Sequence, residues 1–418
     1  MSIDKYILFP YYLVLRLRNR MYDKGSIKSR SYKVPVICVG NVTVGGTGKT
    51  PHTEMLISLL KDKYNVAVVS RGYGRKGKKF KEVQEDDNYE NVGDEPLQIK
   101  RKFPDIKVLV DVNRVEAIDL FLQESGISND LYTADSSKAA ASSAAASTAD
   151  SSKAAASSAA ASIADSSKAA ADAIVTDNSA SAKKCPLIIL DDGFQYRKIT
   201  PSLSIMLVNY YKPIFSDSLL PIGTLRDLPD QIKRADMVIV TKCPEYLDPL
   251  EWEQWRRKLR LSNGQKLLFS KIKYLKPKPV FPEFGDSRYI YAKSAILFSG
   301  IATNRSLIEH LSSEYSIDAV LEFGDHHKFS ASDIRKLRRK SERRSISVLM
   351  TTEKDAQRLR NSSFVPDSLK RKIFYLPIET QIIPHLYQDS RLIEEDFIAE
   401  GDKQIRETLF AELGRTRL

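Results

Sequence analysis

Residues 39–51 read VGNVTVGGTGKTP, a glycine-rich turn that closes on Gly-Lys-Thr directly after the apolar run VPVICV (34–39). A buried strand that empties into such a turn, with the helix-compatible HTEMLISLL beyond it, restricts the fold sharply. Backbone N–H groups of the turn can face an anion, and the following helix adds the positive end of its dipole. Gly45, Gly46, Thr47 and Gly48 would form the cradle, Lys49 would supply charge, and Thr50 a hydroxyl for Mg2+. The usual spacing G-x-x-x-x-G-K-S/T asks for its first glycine where this chain has Thr43, so the loop is a variant.

The rest of the chain continues the alternation. YNVAVVS precedes the loop RGYGRKGKK, IKVLVD precedes NRVEAIDLFLQ, and PLIILDDG, LSIMLVN and ADMVIVTK follow. Short, nearly continuous β-branched runs between helical segments predict a parallel sheet covered on both faces, an α/β architecture of the phosphate-loop NTPase kind. Ligands in such sheets bind beyond the C-terminal strand ends. After the proline-rich KYLKPKPVFPEF a second, smaller α/β unit is expected, with a strand ending at Met350 and a helix starting near Glu353. The expected divisions are 1–30, 31–274 and 275–418. Residues 134–182 stand apart as a surface insertion, because 134–173 repeat an Ala/Ser pattern with a 15-residue period and no apolar stripe.

At 418 residues, 42% apolar and 28% charged, the chain has room for two domains and an ordinary globular profile. A net charge of +12 favours an anionic partner. Cys38, Cys185 and Cys243 lie far apart without metal-ligand spacing. The segment YILFPYYLVLRLRNRMYDKG (6–25) runs from apolar to basic, the reverse of a cleaved signal. Two readings stand: an interfacial segment on anionic lipid, with Phe9, Tyr11, Tyr12 and Leu13 in the acyl boundary, or a helix packed on the chain's own core. Pro10 argues against one unbroken helix.

Further clusters carry chemistry. Asp191 and Asp192 close a strand and are candidate Mg2+ partners. Arg71, Arg75, Lys76, Lys78 and Lys79 form either a solvated charge run or an anchor for an anionic substrate. Asp94 in VGDEPLQI either caps a helix or takes a proton from a substrate hydroxyl. FGDHHKF (323–329) lacks a third metal ligand at sensible spacing, and its Asp325 could orient a histidine. Pro244 in VTKCP stands where a guanine-reading aspartate would be, so ATP is favoured over GTP. Val44 stands where partitioning ATPases carry their signature lysine, which weakens the competing reading of a membrane-associated ATPase switch.

Taken in order, VGNVTVGGTGKTP, SRGYGRK, GDEP, ILDDGFQYRK, LPIGTLRD and DHHKF resemble the tetraacyldisaccharide 4'-kinase family, from the N-terminal segment to about residue 360. The resemblance implies ATP and Mg2+ as cofactors. It implies a tetraacylated glucosamine disaccharide 1-phosphate, the lipid A precursor, as acceptor, and a peripheral place on the cytoplasmic face of the inner membrane. No nucleic acid and no obligate protein partner are implied. It also implies Asp94 as base paired with His326 rather than His327, Lys49 as catalytic cation, Gly45 to Thr50 as the phosphate loop, and Asp191 and Asp192 beside the metal. Asn41, Arg71, Tyr73 and Gln195 are implied in substrate binding. Two departures are Tyr196, where the family commonly has histidine, and Asp227, where it commonly has glutamate.

Overall fold

The computed structural model describes residues 8–127, 184–284, 289, 291–343, 347–385 and 394–415. The predicted insertion at 134–182 lies outside the described residues. Nine strands form the larger sheet, in the order β14-β8-β7-β6-β1-β5-β2-β4-β3. They are β1 (Val36–Gly40), β2 (Tyr64–Ser70), β3 (Lys81–Glu82), β4 (Lys107–Val110), β5 (Cys185–Asp191), β6 (Leu203–Asn209), β7 (Met237–Thr241), β8 (Lys266–Tyr274) and β14 (Ile378–Ile383). From β8 to β4 all neighbours are parallel, and β14 and β3 are antiparallel edges.

The β-branched runs are explained by what covers them. β1, β6 and β7 are buried on both sides, with successive residues entering opposite cores. Val36 and Cys38 join one core with Phe121, Trp252 and Trp255; Ile37 and Val39 join the other with Leu56, Leu60 and Leu97. The covering helices are α1 (Phe9–Asp23), α2 (Lys49–Leu60), α3 (Asp94–Lys102), α4 (Arg114–Glu124) and α5 (Pro249–Leu259).

The second unit has its own five-stranded sheet, β11-β10-β12-β13-β9. Its strands are β9 (Lys278–Pro279), β10 (Ser294–Ser299), β11 (Ser316–Glu322), β12 (Val348–Thr352) and β13 (Ile373–Leu376). Helices α6 (Arg305–Glu314), α7 (Ala331–Glu342) and α8 (Glu353–Arg360) pack around it over two separate cores. The helix start near Glu353 is as expected from the sequence, with Thr352 accepting from Asp355 N–H as the cap.

One expectation is corrected. The second unit does not run to 418. β14 pairs antiparallel with β8, from Tyr274↔Ile378 to Phe269↔Ile383, and α9 (Glu394–Arg415) places Ile405 and Leu409 in the first domain's core. A pairing across about 100 residues leaves no local signal in IETQII. Pro10 marks the start of the described N-terminal helix, which begins at Phe9. It sits in the first turn of α1, where its missing N–H would have had no partner and its fixed φ suits the helix.

Candidate active site

The phosphate loop joins β1 to α2. Gly45 and Gly48 hold φ of 97° and 83°, the left-handed region where a side chain is strained, and Gly48 caps α2. Asn41 organises the turn from beneath. Fully buried, it donates through Nδ2 to Thr43 Oγ1 at 3.0 Å and Thr47 Oγ1 at 2.8 Å. Its Oδ1 accepts from Lys49 Nζ at 3.4 Å and Arg226 Nη2 at 2.7 Å. Asn41 therefore shapes the loop from below. Thr241 Oγ1 donates to the Thr47 carbonyl at 2.9 Å, and His52 ties the Gly48 carbonyl to Ser270 Oγ at 2.7 and 2.8 Å. Burial pushes the His52 imidazole down to about 4, so it bridges as a neutral ring.

The acid pair splits into two environments. Asp191, at the end of β5, is buried and accepts from Thr53 Oγ1 and Ser70 Oγ, each at 3.2 Å. Burial, with the Glu95 and Asp192 charges, pushes its carboxyl up to about 7. Asp192 adopts φ 50°, receives both arms of the Arg226 guanidinium and lies 3.8 Å from Lys49 Nζ. Burial opposes its charge, yet Lys49 and Arg226 hold it below the usual carboxylate range.

These residues suit a divalent cation. Mg2+ commonly needs only one or two carboxylates, with the remaining positions filled by phosphate oxygens and water. The Thr50 hydroxyl in the first turn of α2 and the Asp191/Asp192 pair offer that donor set, with two anionic oxygens already facing cations. Among the described residues no group of three or more His, Cys, Asp and Glu side chains converges as a metal cage.

The second constellation lies where the two units meet. Asp94 opens α3 after Gly93 and is buried. His326, on the loop after β11, lies with Nδ1 3.2 Å from Asp94 Oδ2. His326 holds φ 58°; its backbone N–H donates to Asp325 Oδ1 at 3.0 Å and to the Gly300 carbonyl at 3.2 Å. Asp325 thus fixes the backbone of His326 rather than its ring. His327 turns away, bonding Asp333 at 3.0 Å and stacking on Phe323. Tyr73 sits against His326 with ring centroids 5.3 Å apart.

The other substrate-binding candidates line the same edge. Arg71 is exposed after β2, close enough for its charge to act on Arg114, and Gln195 is half-buried in the turn after β5. Tyr196 stacks under the Arg114 guanidinium at 4.6 Å and donates to Asn113 Oδ1 at 3.0 Å, which gives that departure a positioning role. Asp227, the other departure, is fully buried and accepts from Arg18 at 2.8 Å and Asn19 at 2.9 Å, fastening α1 to the site. The basic run divides: Lys76 pairs with Glu90, whereas two Arg75 guanidinium nitrogens are buried without a partner.

Sequence reasoning missed Arg226, Arg114, Lys354 and Arg358. Arg226 lay inside LPIGTLRD, and Lys354 and Arg358 are four apart in TTEKDAQRL, one face of a helix.

A parallel sheet with a glycine loop at its central strand, acidic strand ends and a carboxylate–imidazole pair supplied across two units defines a phosphate-loop kinase fold. The sequence profile of LpxK, tetraacyldisaccharide-1-P 4'-kinase, matches residues 7–136 and 138–394. A tetraacyldisaccharide 4'-kinase from Porphyromonas gingivalis is 36% identical over 383 residues, covering 89% of this chain and 90% of the relative. One from Flavobacterium johnsoniae is 35% identical over 389 residues, covering 92% and 95%. The crystal structure of LpxK from Aquifex aeolicus in complex with ATP superposes with a TM-score of 0.60 at 22% identity, covering 98% of this chain and 99% of that one. The chain belongs to the tetraacyldisaccharide-1-P 4'-kinase family, and it is a kinase.

Proposed function

We propose that the chain transfers the γ-phosphate of ATP to the 4'-hydroxyl of a tetraacylated glucosamine disaccharide 1-phosphate, giving the bis-phosphorylated lipid A precursor. The observation that carries this reading is the Asp94–His326 contact, built from two units and placed beside the loop edge. Phosphoryl transfer asks the protein mainly for positioning and charge neutralisation. Lys49 meets the terminal phosphates, while Asn41 and Arg226 keep the loop and Asp192 in register. Mg2+, held by Thr50 with Asp191 and Asp192 beside it, would neutralise developing phosphate charge. The Asp94–His326 pair takes the acceptor's hydroxyl proton, and the second unit excludes the water that would compete for the phosphoryl group. Arg71 and Tyr73, with Gln195, stand at the mouth where the disaccharide and its 1-phosphate would lie.

A peripheral position on the cytoplasmic face of the inner membrane fits the same reading. Phe9, Leu13, Leu17 and Met21, spaced by four on α1, are exposed with Val14 beside them, while Leu15 and Asn19 face inward. Each apolar side chain laid in lipid would contribute about 1.5–3 kcal/mol when fully buried, and Arg16 and Arg20 suit anionic headgroups. Among the described residues no helix is long and apolar enough to cross a membrane.

The test is radiolabel transfer from γ-labelled ATP to detergent-dispersed tetraacyldisaccharide 1-phosphate, with wild type beside Asp94→Asn. Labelled lipid that collapses in the variant is the expected result. Free phosphate without labelled lipid would instead return the ATPase switch.

A further inference from the structure

We propose that Arg358 is a positioning residue for the Asp94–His326 pair, carried across from the second unit to orient the Asp94 carboxylate and surround both groups with positive charge. The inference rests on the kinase reading for its kinetic consequence, though not for its geometry. Arg358 is buried on α8, and its Nε donates to Asp94 Oδ2 at 3.0 Å while Nη2 reaches the same oxygen. Nη1 is spent on its own side, donating to Asp355 Oδ1 at 2.7 Å and to the Gly300 carbonyl at 3.3 Å. Asp355 also accepts from the Gly300 N–H at 2.9 Å. The guanidinium is therefore clamped on one edge by the loop that bonds the His326 backbone, and its other edge grips Asp94 across the boundary.

Its position relative to the imidazole makes the role specific. Arg358 Nη2 lies 3.3 Å from His326 Nδ1, and Lys354 Nζ lies 3.3 Å from Nε2 while donating to Glu95 at 2.9 Å. Lys354 can only donate and the Asp94 carboxylate can only accept, so these partners assign the ring proton to Nδ1, shared with Asp94, and leave the Nε2 lone pair toward Lys354, while Arg358 Nη2 spends its hydrogen on Asp94 and lies beside Nδ1 without bonding it. The charges around Asp94 are His326 from the β11 loop and Lys354 and Arg358 from α8. Glu95 and Asp355 each answer one of those cations, and the Tyr89 phenol, in the turn before α3, also senses Arg358. Burial alone would drive the Asp94 carboxyl up, but His326, Lys354 and Arg358 hold it well below the usual range. Losing the guanidinium removes positive charge from beside Asp94, so its carboxylate binds a proton more readily. Activity that needs the unprotonated carboxylate must then fail at higher pH.

The experiment uses the full chain with Arg358→Gln and Arg358→Lys, and reads the pH profile of kcat/KM for lipid labelling. With the glutamine variant, the acid limb is expected to move up by about one pH unit or more, and kcat to fall by about 100-fold. The lysine variant restores the charge without the two-pronged grip, so its limb returns to wild type while kcat stays low. A glutamine profile that is lower at every pH but unshifted overturns the inference, as does a lysine variant with full activity. Should the glutamine variant not fold, the lysine variant decides alone: lower kcat with an unmoved limb supports the role, and a moved limb or unchanged kcat overturns it. Carboxyl titration of Asp94 in [13Cγ]-aspartate-labelled protein, assigned with Asp94→Asn, needs no substrate. If wild type labels no lipid, the kinase reading fails, and a carboxyl that titrates at the same pH with and without Arg358 separately removes this one.

Discussion

The two halves of the site are assembled in different ways. The phosphate loop is held by neighbours within one domain: Asn41, Thr43, Thr47, Lys49, Arg226 and Asp192 bond to one another, and His52 ties the loop to β8. The half around Asp94, the proposed proton acceptor, is shared between two domains, because His326, Lys354 and Arg358 come from the second unit, and Asp94 and Glu95 from the first. Nucleotide binding can thus be prepared in advance, whereas chemistry waits for an approach that also shuts out water. A loop of this kind loses affinity when disturbed; a shared pair loses turnover.

The sharpest way to break this comparison is Asp94→Asn, which should lower kcat about 10³-fold while leaving ATP affinity by calorimetry within about twofold of wild type. A large loss of ATP affinity would mean that the halves are not separable. Next in size is Glu353, on the face of α8 between the domains, whose Oε2 is buried without a partner. Burial and the Glu54 charge push its carboxyl up from 4.5 to about 7. Below pH 4.5 it is protonated folded or unfolded; as pH rises toward 7 the unfolded chain releases the proton first, so its contribution to stability is lost across that window. The loss should be on the order of 2–3 kcal/mol, and Glu353→Gln should flatten it in denaturant titrations at pH 5 and pH 7.5. An unaltered slope would show that the closing face tolerates the charge. The smallest effect is expected for Asn41→Ala, which leaves Thr47 and Arg226 short of a partner and should weaken ATP binding about tenfold with little change in kcat. A fall in kcat alone would put Asn41 on the chemical side of the comparison.

What could be read from the sequence follows the same division. Gly45 to Thr50, the Asp191–Asp192 strand end and the alternating strands were legible because each depends on residues close in the chain. Asp94 and His326 entered as a pair only through the family resemblance, since 232 positions separate them. Arg358 was invisible for a related reason: a charged residue on a short helix reads as solvated until the partner carboxylate is placed in three dimensions. Asn41 also entered through the family resemblance, as a substrate contact, and its four bonds to the loop and Arg226 left no mark in the sequence. The return of β14 was unreadable because antiparallel pairing at a sheet edge is decided by the partner strand.

That return has a mechanical consequence. The chain leaves the large sheet at Tyr274 and re-enters it at Ile378, and these two residues are themselves paired. The second unit is therefore spliced into the first at a single point, with its outgoing and incoming strands zipped together like the two leaves of a flat spring. A ribbon of two bonded strands resists shear within its plane, so the junction fixes the register in which the unit carrying His326 leaves and rejoins the sheet. Because the cut ends already lie side by side, a short turn joining 274 to 378 would bridge them, giving a chain that keeps the phosphate loop and lacks His326, Lys354 and Arg358.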